Sequence, residues 1–450
     1  MKSRWDRFKP ETAWEPWVPD ADQPWDFARA AHLYRRAGFG AAWSVLSAAV
    51  NENPGSIIDA MFEVREPDQS DADQDRTADV LAVSSNARQL AAWWMLRMAK
   101  TDSPALEKAT LFWHGHFATS AAKVEEARLM LAQSRLLRQH ALGKFEPMVQ
   151  GIACDPAMLI YLDSRESKRA KPNENFAREL MELFCLGTGN YTEQDIREMS
   201  RCFTGFEIRY GNYKFNSFQH DKGTKSFLGK SGNYSGEDAV RIVVEHPACA
   251  KFLVGKMLRY YVADDFPLDS PLVDSLADEY RTSGLDTGVI LRKLVSSQVF
   301  FSDEAIASRI SSPVEMIVGL LRAFRIEANM QTLSDSVGEL GQLPYFPPSV
   351  KGWNGGTAWI NAQTLMGRAN LVNRLMDENK SQFRPDFPAF ASGDPADQVD
   401  QCCQLLLAKK LPEAVRERML ATAKSATRDS RDRVAGIVSV LAAMPEFHLC

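Results

Sequence analysis

Two of the chain's seven histidines, His114 and His116, lie one residue apart in the segment LFWHGHFATS, residues 111–120. Imidazole binds transition metals and transfers protons near neutral pH, so the pair is a candidate metal or acid–base site. In a straight helix, residues i and i+2 point about 200° apart, so both rings reach one ion only if the helix ends at His114. Three interpretations stay open: joint ligation, one ligand or base supported by the other ring, and two hydrogen-bonded structural histidines.

Carboxylates follow on a helix predicted from the segment NENFARELMELFCLGTGNY, residues 173–191. Asn175, Glu179 and Glu182 follow the spacing i, i+4, i+7 and share a face distinct from the apolar one. Glu179 and Glu182 are candidate general bases or metal ligands, because a buried carboxylate needs a cation. Internal ion pairing and a solvated face are the alternatives. Asn175 and Arg178 are interpreted as parts of a structural polar network.

The segment GFEIRYGNYKFNSFQHD alternates apolar and polar residues on both sides of the dipeptide GN, which predicts a β-hairpin near 205–220. His220 and Asp221 stand at its end, as a candidate metal ligand and a candidate catalytic or orienting carboxylate. Lys225, in the following glycine-containing loop, is a candidate substrate-binding cation. The pattern GxxxxGK[ST] does not accompany it, so nucleotide binding has little support.

A loop rich in proline and glycine, LPYFPPSVKGWNGGTAWIN, spans residues 343–361. Long ordered loops often carry function. Trp353, Trp359 and Asn361 are therefore candidate substrate-binding residues, with indole faces suited to a sugar ring or a peptide side chain. The alternative is that both tryptophans hold the loop against the helical body.

Helical periodicity dominates the remaining sequence, which predicts a mainly α protein: a large multi-helix array around one continuous core, with the hairpin inserted. The core is placed at residues 1–380, with the acidic segment 66–80 as a solvated loop. Residues 381–450 are predicted to form a C-terminal helical segment, packed on or appended to that core. Arg35 and Arg36 are predicted to act structurally, bridging to glutamates across helices.

Composition excludes several classes of protein. A formal net charge of −5 gives no reason to expect a nucleic-acid partner. The sequence has no apolar run of about 18 residues, so no membrane span is predicted. It has no CxxCH for covalent haem and no GxSxG nucleophile turn. The polar N-terminal segment lacks a secretory h-region, so we expect a cytoplasmic location, or a periplasmic or exported one if a signal has been removed.

The chain resembles a bacterial family catalogued as domain of unknown function 1800. The resemblance rests on PNENFARELMELFCLGTGNYTEQDIREMSRCFTGF and, in order around it, HLYRRAGFG, FWHGHF, DPAMLIYLD, HDKGTKSFLG, HPACAKFLVGKMLRYYV, SPVEMIVGLLRAF and FPPSVKGWNGGTAWIN. It covers about residues 30–378. It implies no established reaction, but it does imply a protein partner from a sulfatase-like family.

The leading functional hypothesis is a metal-dependent enzyme, hydrolytic or oxidative, using zinc, iron, manganese or copper. His114, His116 and His220 would supply nitrogen ligands, with Glu179 or Glu182 as a carboxylate ligand or base. Asp221 would be a further ligand or orienting group. One alternative is a non-catalytic scaffold or partner-binding protein in which these residues form a structural network. A second alternative is a carbohydrate-binding helical protein that uses Trp353 and Trp359.

Overall fold

The computed structural model describes residues 3–66, 68–84, 86–378, 385–425 and 429–450. Over these residues the protein is a multi-helix array with two small antiparallel β-hairpins, which confirms the predicted mainly α class. None of the described helices combines the length and the apolar character needed to cross a bilayer.

The helices before the strands are α1 Pro10–Ala13, α2 Phe27–Ala37, α3 Trp43–Ala49, α4 Pro54–Met61, α5 Gln69–Val83, α6 Ala87–Lys100, α7 Pro104–His116, α8 Ala121–Val124, α9 Ala127–His140, α10 Phe145–Ala153, α11 Pro156–Tyr161, α12 Asn175–Glu179 and α13 Glu193–Ser200. A π-helical turn, Leu180–Cys185, extends α12. The strands are β1 Phe206–Arg209, β2 Asn212–Phe215, β3 Lys225–Phe227 and β4 Lys230–Gly232.

The helices after the strands are α14 Gly236–Val244, α15 Pro247–Tyr261, α16 Pro271–Thr282, α17 Thr287–Ser296, α18 Pro313–Ala323, α19 Met330–Glu339, α20 Ala362–Glu378, α21 Pro388–Ser392, α22 Pro395–Leu406, α23 Glu413–Ser425 and α24 Ser430–Ala442. Short 3₁₀ turns occupy Arg4–Arg7, Ser164–Glu166, Arg201–Phe203, Gly356–Trp359 and Pro445–His448.

The interior consists of two hydrophobic clusters, where the sequence predicted one continuous core. The first contains α10, α14, α15, α16 and α17, and the second contains α6, α18, α20, α22 and α24. Helix α7 lies between them, because Phe112 and Trp113 belong to the first cluster and Leu111 to the second. Most of this helix is buried, including its charged residues.

The predicted hairpin is confirmed, with Phe206 paired to Phe215 and Arg209 to Asn212. The turn lies one residue earlier than the dipeptide GN suggested. Tyr210 and Gly211 form it, with φ values of 52° and 76°. Both central residues of a tight type I′ turn need positive φ, which glycine adopts readily.

The prediction that residues 66–80 form a solvated loop is wrong, because Gln69–Val83 is a helix. Asp68 and Asp71 cap its start reciprocally. Arg97 of α6 pairs with Asp71 at 3.1 Å and with Asp75 at 3.1 Å. The acidic residues therefore face arginines from a neighbouring helix, and this pairing favours the helix over a solvated loop.

The C-terminal helices pack on the rest of the protein; the predicted boundary at 380/381 lies outside the described residues. Arg35 donates to the carbonyls of Leu406 and Leu407 at the end of α22. Arg36 donates to the carbonyls of Val262 and Cys450. Both arginines hold backbone carbonyls, where bridges to glutamates were expected.

Glu107 of α7 is the most densely bonded buried carboxylate in the interior around this helix. It accepts hydrogen bonds from Trp94 Nε1 at 2.8 Å, Arg97 Nε at 2.9 Å and Arg138 Nε at 2.8 Å. Burial alone would raise the pKa of Glu107, but the two arginines and the indole lower it to about 2. Glu107 therefore ties α7 to α6 and α9 in its charged form.

Replacing the carboxylate of Glu107 tests whether its charge holds α7 to α6 and α9. We expect Glu107→Gln to lower the free energy of unfolding at neutral pH by about 3 kcal/mol, because two buried guanidinium groups lose their counter-charge. The folded pKa of Glu107 lies below its ordinary value of 4.5, so its contribution is complete above about pH 4.5 and is lost as the pH falls towards about 2. The difference between wild type and variant, measured by urea unfolding, should therefore shrink in acid.

The exposed Glu63 provides the matched control, since Glu63→Gln removes a carboxylate of the same type from the surface. This variant should unfold like the wild type at neutral pH. A Glu107→Gln difference that stays constant down to about pH 2 would contradict the assignment of a lowered pKa to Glu107.

Candidate functional site

His114 lies in the aromatic interior on the second-cluster side of α7. Its Nε2 accepts the backbone N–H of Tyr345 at 2.9 Å, and its ring centroid lies 5.2 Å from that of Trp94. Burial lowers the pKa of His114 to about 4, so the ring is neutral. Because Nε2 accepts, the proton resides on Nδ1, which is buried and has no hydrogen-bond partner among the described residues.

His116 lies on the other side of α7. Its Nε2 donates to the carbonyl of Phe184 at 2.9 Å, and its Nδ1 accepts from Lys256 Nζ at 3.0 Å. Burial and the neighbouring ammonium hold the pKa of His116 well below its usual range. The ring is therefore a neutral imidazole with both nitrogens occupied.

The geometric condition for joint ligation by His114 and His116 is not met, because α7 continues through His116. The two rings bind different elements, the segment at Tyr345 and the π-helical turn. Among the described residues there is no group of three or more His, Cys, Asp or Glu side chains placed to hold a metal ion. The structure thus supports the third interpretation, in which His114 and His116 are hydrogen-bonded structural histidines.

The π-helical turn explains why His116 and Lys256 find acceptors there. The N–H of Leu186 donates to the carbonyl of Met181 at 2.8 Å, five residues back, so the turn is wider than an α-turn. The carbonyl of Leu183 accepts from Lys256 Nζ at 3.0 Å, and that of Phe184 accepts from His116. Such turns occur frequently at functional sites.

The carboxylates of this helix lie beside the turn. Glu182 accepts from the Tyr191 hydroxyl at 3.2 Å. Burial and the charge of Glu182 raise the pKa of Glu179, against the opposing effect of Arg178 and Lys351. Neither glutamate lines the cleft described below.

The two predicted network residues of this helix make structural contacts. Arg178 forms two hydrogen bonds of 2.8 Å to Glu193. Asn175 donates to the carbonyl of Leu162 at 3.3 Å. These contacts agree with the polar-network interpretation.

The hairpin residues form a separate, internally bonded group. His220 Nδ1 donates to the carbonyl of Thr204 at 2.9 Å. Asp221 accepts from Arg201, which lowers the pKa of the Asp221 carboxyl. Lys225 is buried and donates to the backbone carbonyls of Asp221 and Tyr234. The structure does not bring this group together with His114 or His116.

Loop 343–361 packs directly on α7. Gly352 lies so close that a Cβ built on it would overlap the carbonyl oxygen of Gly115. Gly115 in turn has no side chain, and a Cβ there would lie 4.0 Å from Trp353 Cε3. Asn361 caps α20 by accepting the N–H of Thr364 at 2.8 Å. The glycine of the HGH segment thus faces the loop that carries Trp353.

A cleft of about 550 Å³ lies between α7, α15 and this loop. Its lining residues are Leu111, Phe112, Gly115, His116, Lys256, Arg259, Tyr260, Asp264, Asp265, Arg309, Ser312, Gln342, Lys351, Trp353, Asn354, Gly355, Gly356, Thr357 and Trp359. Of the residues predicted from sequence, it contains His116, Trp353 and Trp359. The volume falls within the usual range for small-molecule sites.

Three residues that line this cleft each have one buried polar atom without a hydrogen-bond partner among the described residues: Tyr260 Oη, Trp353 Nε1 and Arg309 Nε. All three carry a hydrogen to donate. Burial and Glu315 hold the pKa of Tyr260 well above its usual range, so its hydroxyl stays protonated. Buried donors are normally paired, so these three are exceptions in the wall of the cleft.

The charge of the cleft is predominantly positive. Lys256, Arg259, Arg309 and Lys351 contribute cations. Arg309 forms an ion pair with the buried Glu315, and Asp264 accepts the N–H of Ile310 at 2.8 Å.

Lys256 differs from an ordinary lysine, because burial lowers its pKa to about 8. In a substantial fraction of the protein molecules, Lys256 is therefore a neutral amine under mildly alkaline conditions.

Sequence reasoning missed Lys256, Arg259, Tyr260 and Arg309. The first three lie in the segment HPACAKFLVGKMLRYYV, which carries part of the family resemblance. A lysine on an amphipathic helix is ordinarily solvated, so the pattern gave no chemical signal. The position of loop 343–361 over α7 and α15 depends on tertiary packing, which the local sequence pattern does not predict.

A family model described as "Protein of unknown function (DUF1800)" matches residues 32–449. The chain belongs to this family, and the match includes the C-terminal helices beyond residue 378, where the sequence resemblance stopped. No curated protein and no solved structure matches the chain.

The lowered pKa of Lys256 has a direct chemical readout. We expect its acylation by an amine-selective anhydride to reach half of its maximal rate near pH 8, where an ordinary lysine requires about 10.5. Peptide mapping by mass spectrometry follows this rate, and Lys251, an exposed lysine of the same helix paired with Asp274, is an internal reference. A Lys256 rate that still rises in proportion to hydroxide between about pH 8 and 10.5 would contradict the lowered pKa.

The close packing of the loop on α7 predicts opposite outcomes for two glycines. Gly352→Ala should destabilise the protein by about 1–3 kcal/mol and alter tryptophan fluorescence. The residue has φ +76° and its new methyl group would overlap Gly115. Gly115→Ala should be neutral or slightly stabilising, because its methyl group meets only an ordinary contact and alanine favours a helix. Equal thermal unfolding of both variants would show that the loop does not pack this way.

Proposed function

We propose that the protein binds a small acidic carbohydrate in the cleft between α7, α15 and loop 343–361. The observation that carries this proposal is the lining of the cleft, where four cationic side chains lie together with the rings of Trp353, Trp359 and Tyr260 around about 550 Å³. Hydroxyl and carboxylate oxygens are the natural complement of such cationic donors.

The charge of the cleft supports an anionic ligand. The whole chain has a formal net charge of −5, yet the cleft contains four cationic side chains and two aspartates. Arg259 and Lys351 are exposed at the cleft and available for a carboxylate, phosphate or sulfate. Hydrogen bonds between such charged partners are stronger than neutral ones, and a guanidinium suits a planar carboxylate.

The aromatic lining supports a ring-shaped ligand. Trp353, Trp359 and Tyr260 line the same cleft. Apolar faces of sugar rings pack on aromatic side chains, while ring hydroxyls take up hydrogen bonds. Trp359 is largely buried, so it also anchors the loop. The two roles considered from the sequence for Trp353 and Trp359, contact with a sugar ring and anchoring of the loop, are therefore compatible.

The other functional hypotheses have different support. The contacts of Arg35, Arg36, Asn175, Arg178 and Lys225 agree with the structural-network hypothesis for those residues. That network does not account for the unpaired donors of the cleft. A metal-dependent reaction stays a prediction, as do a sulfatase-like partner and the cellular location.

Calorimetry with uronic acids tests the proposed ligand class. We expect D-galacturonate or D-glucuronate to bind, and D-galactose, which lacks the carboxylate, to bind at least about tenfold more weakly. Arg259→Gln and Lys351→Ala should each weaken uronate binding by about tenfold, because each removes a cation from the cleft.

Lys251→Ala is the matched control, since it removes an exposed cation of α15 that pairs with Asp274 outside the cleft. This variant should bind like the wild type. The proposal fails if neither uronate binds at millimolar concentrations, or if D-galactose binds as tightly as the uronates.

A further inference from the structure

Lys256 has a hydrogen-bond geometry unlike that of a lysine that only neutralises an anion. Its Nζ donates to the carbonyl of Leu183 at 3.0 Å and to His116 Nδ1 at 3.0 Å. His116 is fixed as an acceptor at Nδ1, because its Nε2 proton is held by the carbonyl of Phe184. Each contact therefore uses one N–H of Lys256. Neither contact involves the lone pair that the neutral amine carries.

A neutral primary amine has two N–H bonds and one lone pair in a tetrahedral arrangement. If both N–H bonds are directed at Leu183 and His116, the lone pair takes the remaining position. Lys256 lines the cleft, and Nζ has no further polar partner among the described residues. The face of Phe252, with its centroid 4.7 Å from Nζ, limits access from another side.

The surroundings also give Lys256 a larger fraction of neutral amine than an exposed lysine has. Nζ is held between an aromatic face, a neutral imidazole and a carbonyl, and no carboxylate pairs with it among the described residues. Desolvation without a counter-charge disfavours an ammonium. Desolvated lysines of this type serve as nucleophiles towards carbonyl groups.

We infer that Lys256 is the reactive amine of the cleft and forms an imine with the carbonyl carbon of its ligand, the open-chain aldehyde of an acidic sugar or a small oxo acid. This inference rests on the proposed function, since it assigns chemistry to the ligand of the same cleft. His116 is a positioning residue in this step, because it orients the amine through Nδ1.

The chemistry balances without any further reactant. The lone pair of Nζ attacks the carbonyl carbon, a C–N bond forms, and the carbonyl oxygen becomes the hydroxyl of a carbinolamine. That oxygen then leaves as water with the two hydrogens of the amine, and a C=N bond remains. The step needs no oxidant or reductant, because it is a condensation that releases water. Addition of water reverses the sequence.

Reductive trapping tests the inference on the full-length protein. The probes are glyoxylate, pyruvate and D-galacturonate, each with sodium cyanoborohydride, and peptide mapping by mass spectrometry locates the reduced adducts. We expect Lys256 to be modified at least about tenfold faster than the exposed Lys251 on the same helix. Acetone, a carbonyl without an anionic group, should show no such preference.

Variants separate reactivity from folding. Lys256→Arg and Lys256→Met should lose the selective adduct, while Lys251→Arg should retain it. Circular dichroism establishes that each variant is folded, and site mapping in the wild type does not depend on any variant. His116→Gln should slow trapping at Lys256 more than it weakens uronate binding, because it disturbs the orientation of the amine and leaves the cations in place.

The outcomes distinguish this inference from the proposed function. If D-galacturonate binds in calorimetry but all three probes are trapped equally on exposed lysines, the imine inference is wrong and the binding proposal stands. If oxo acids are trapped selectively at Lys256 while no uronate binds, the reactive amine is supported and the carbohydrate class is wrong. If no probe binds and none is trapped at Lys256, both are overturned.

Discussion

The burial of α7 between two hydrophobic clusters is the constraint on which the rest of the structure depends. This helix carries Glu107, Lys108, His114 and His116 into the interior, and an unpaired buried polar group costs about 1–3 kcal/mol. Their partners come from different elements: arginines of α6 and α9, Glu315 of α18, the backbone at Tyr345, and the π-helical turn. Nδ1 of His114 has no partner among the described residues. Satisfying one helix therefore fixes the positions of most of its neighbours, including the loop and α15 that enclose the cleft.

The contrast between the interior and the cleft carries the functional argument. The side chains of Glu107 and Lys225 meet protein partners, as expected for buried charges in a stable fold. In the wall of the cleft, Tyr260 Oη and Trp353 Nε1 have no partner among the described residues, as is also true of Trp5 Nε1 and Tyr261 Oη elsewhere. The π-helical turn adds a second irregularity at this place, because its carbonyls hold a neutral histidine and a lysine whose pKa is lowered to about 8. The satisfied polar groups explain the architecture, and the cations and aromatic rings that line one cleft indicate where a ligand belongs.

Periodicity in the sequence was enough for the helical class and for the hairpin at 205–220, because both depend on local patterns. It failed at 66–80, where the helix depends on Arg97, a residue of another helix. The histidine pair could not be resolved from sequence, since the outcome depends on whether α7 ends at His114, and partners at Tyr345 and Phe184 decide the role of each ring. The reactive lysine was not found for the same reason: its environment is assembled from three distant segments.

The most direct test of the account is a crystal structure of the protein grown with D-galacturonate. The account predicts the sugar in the cleft, with its carboxylate on Arg259 or Lys351 and its ring against Trp353, Trp359 or Tyr260. It also predicts Lys256 Nζ next to the anomeric carbon. A saturated crystal with an empty cleft would contradict the central claim.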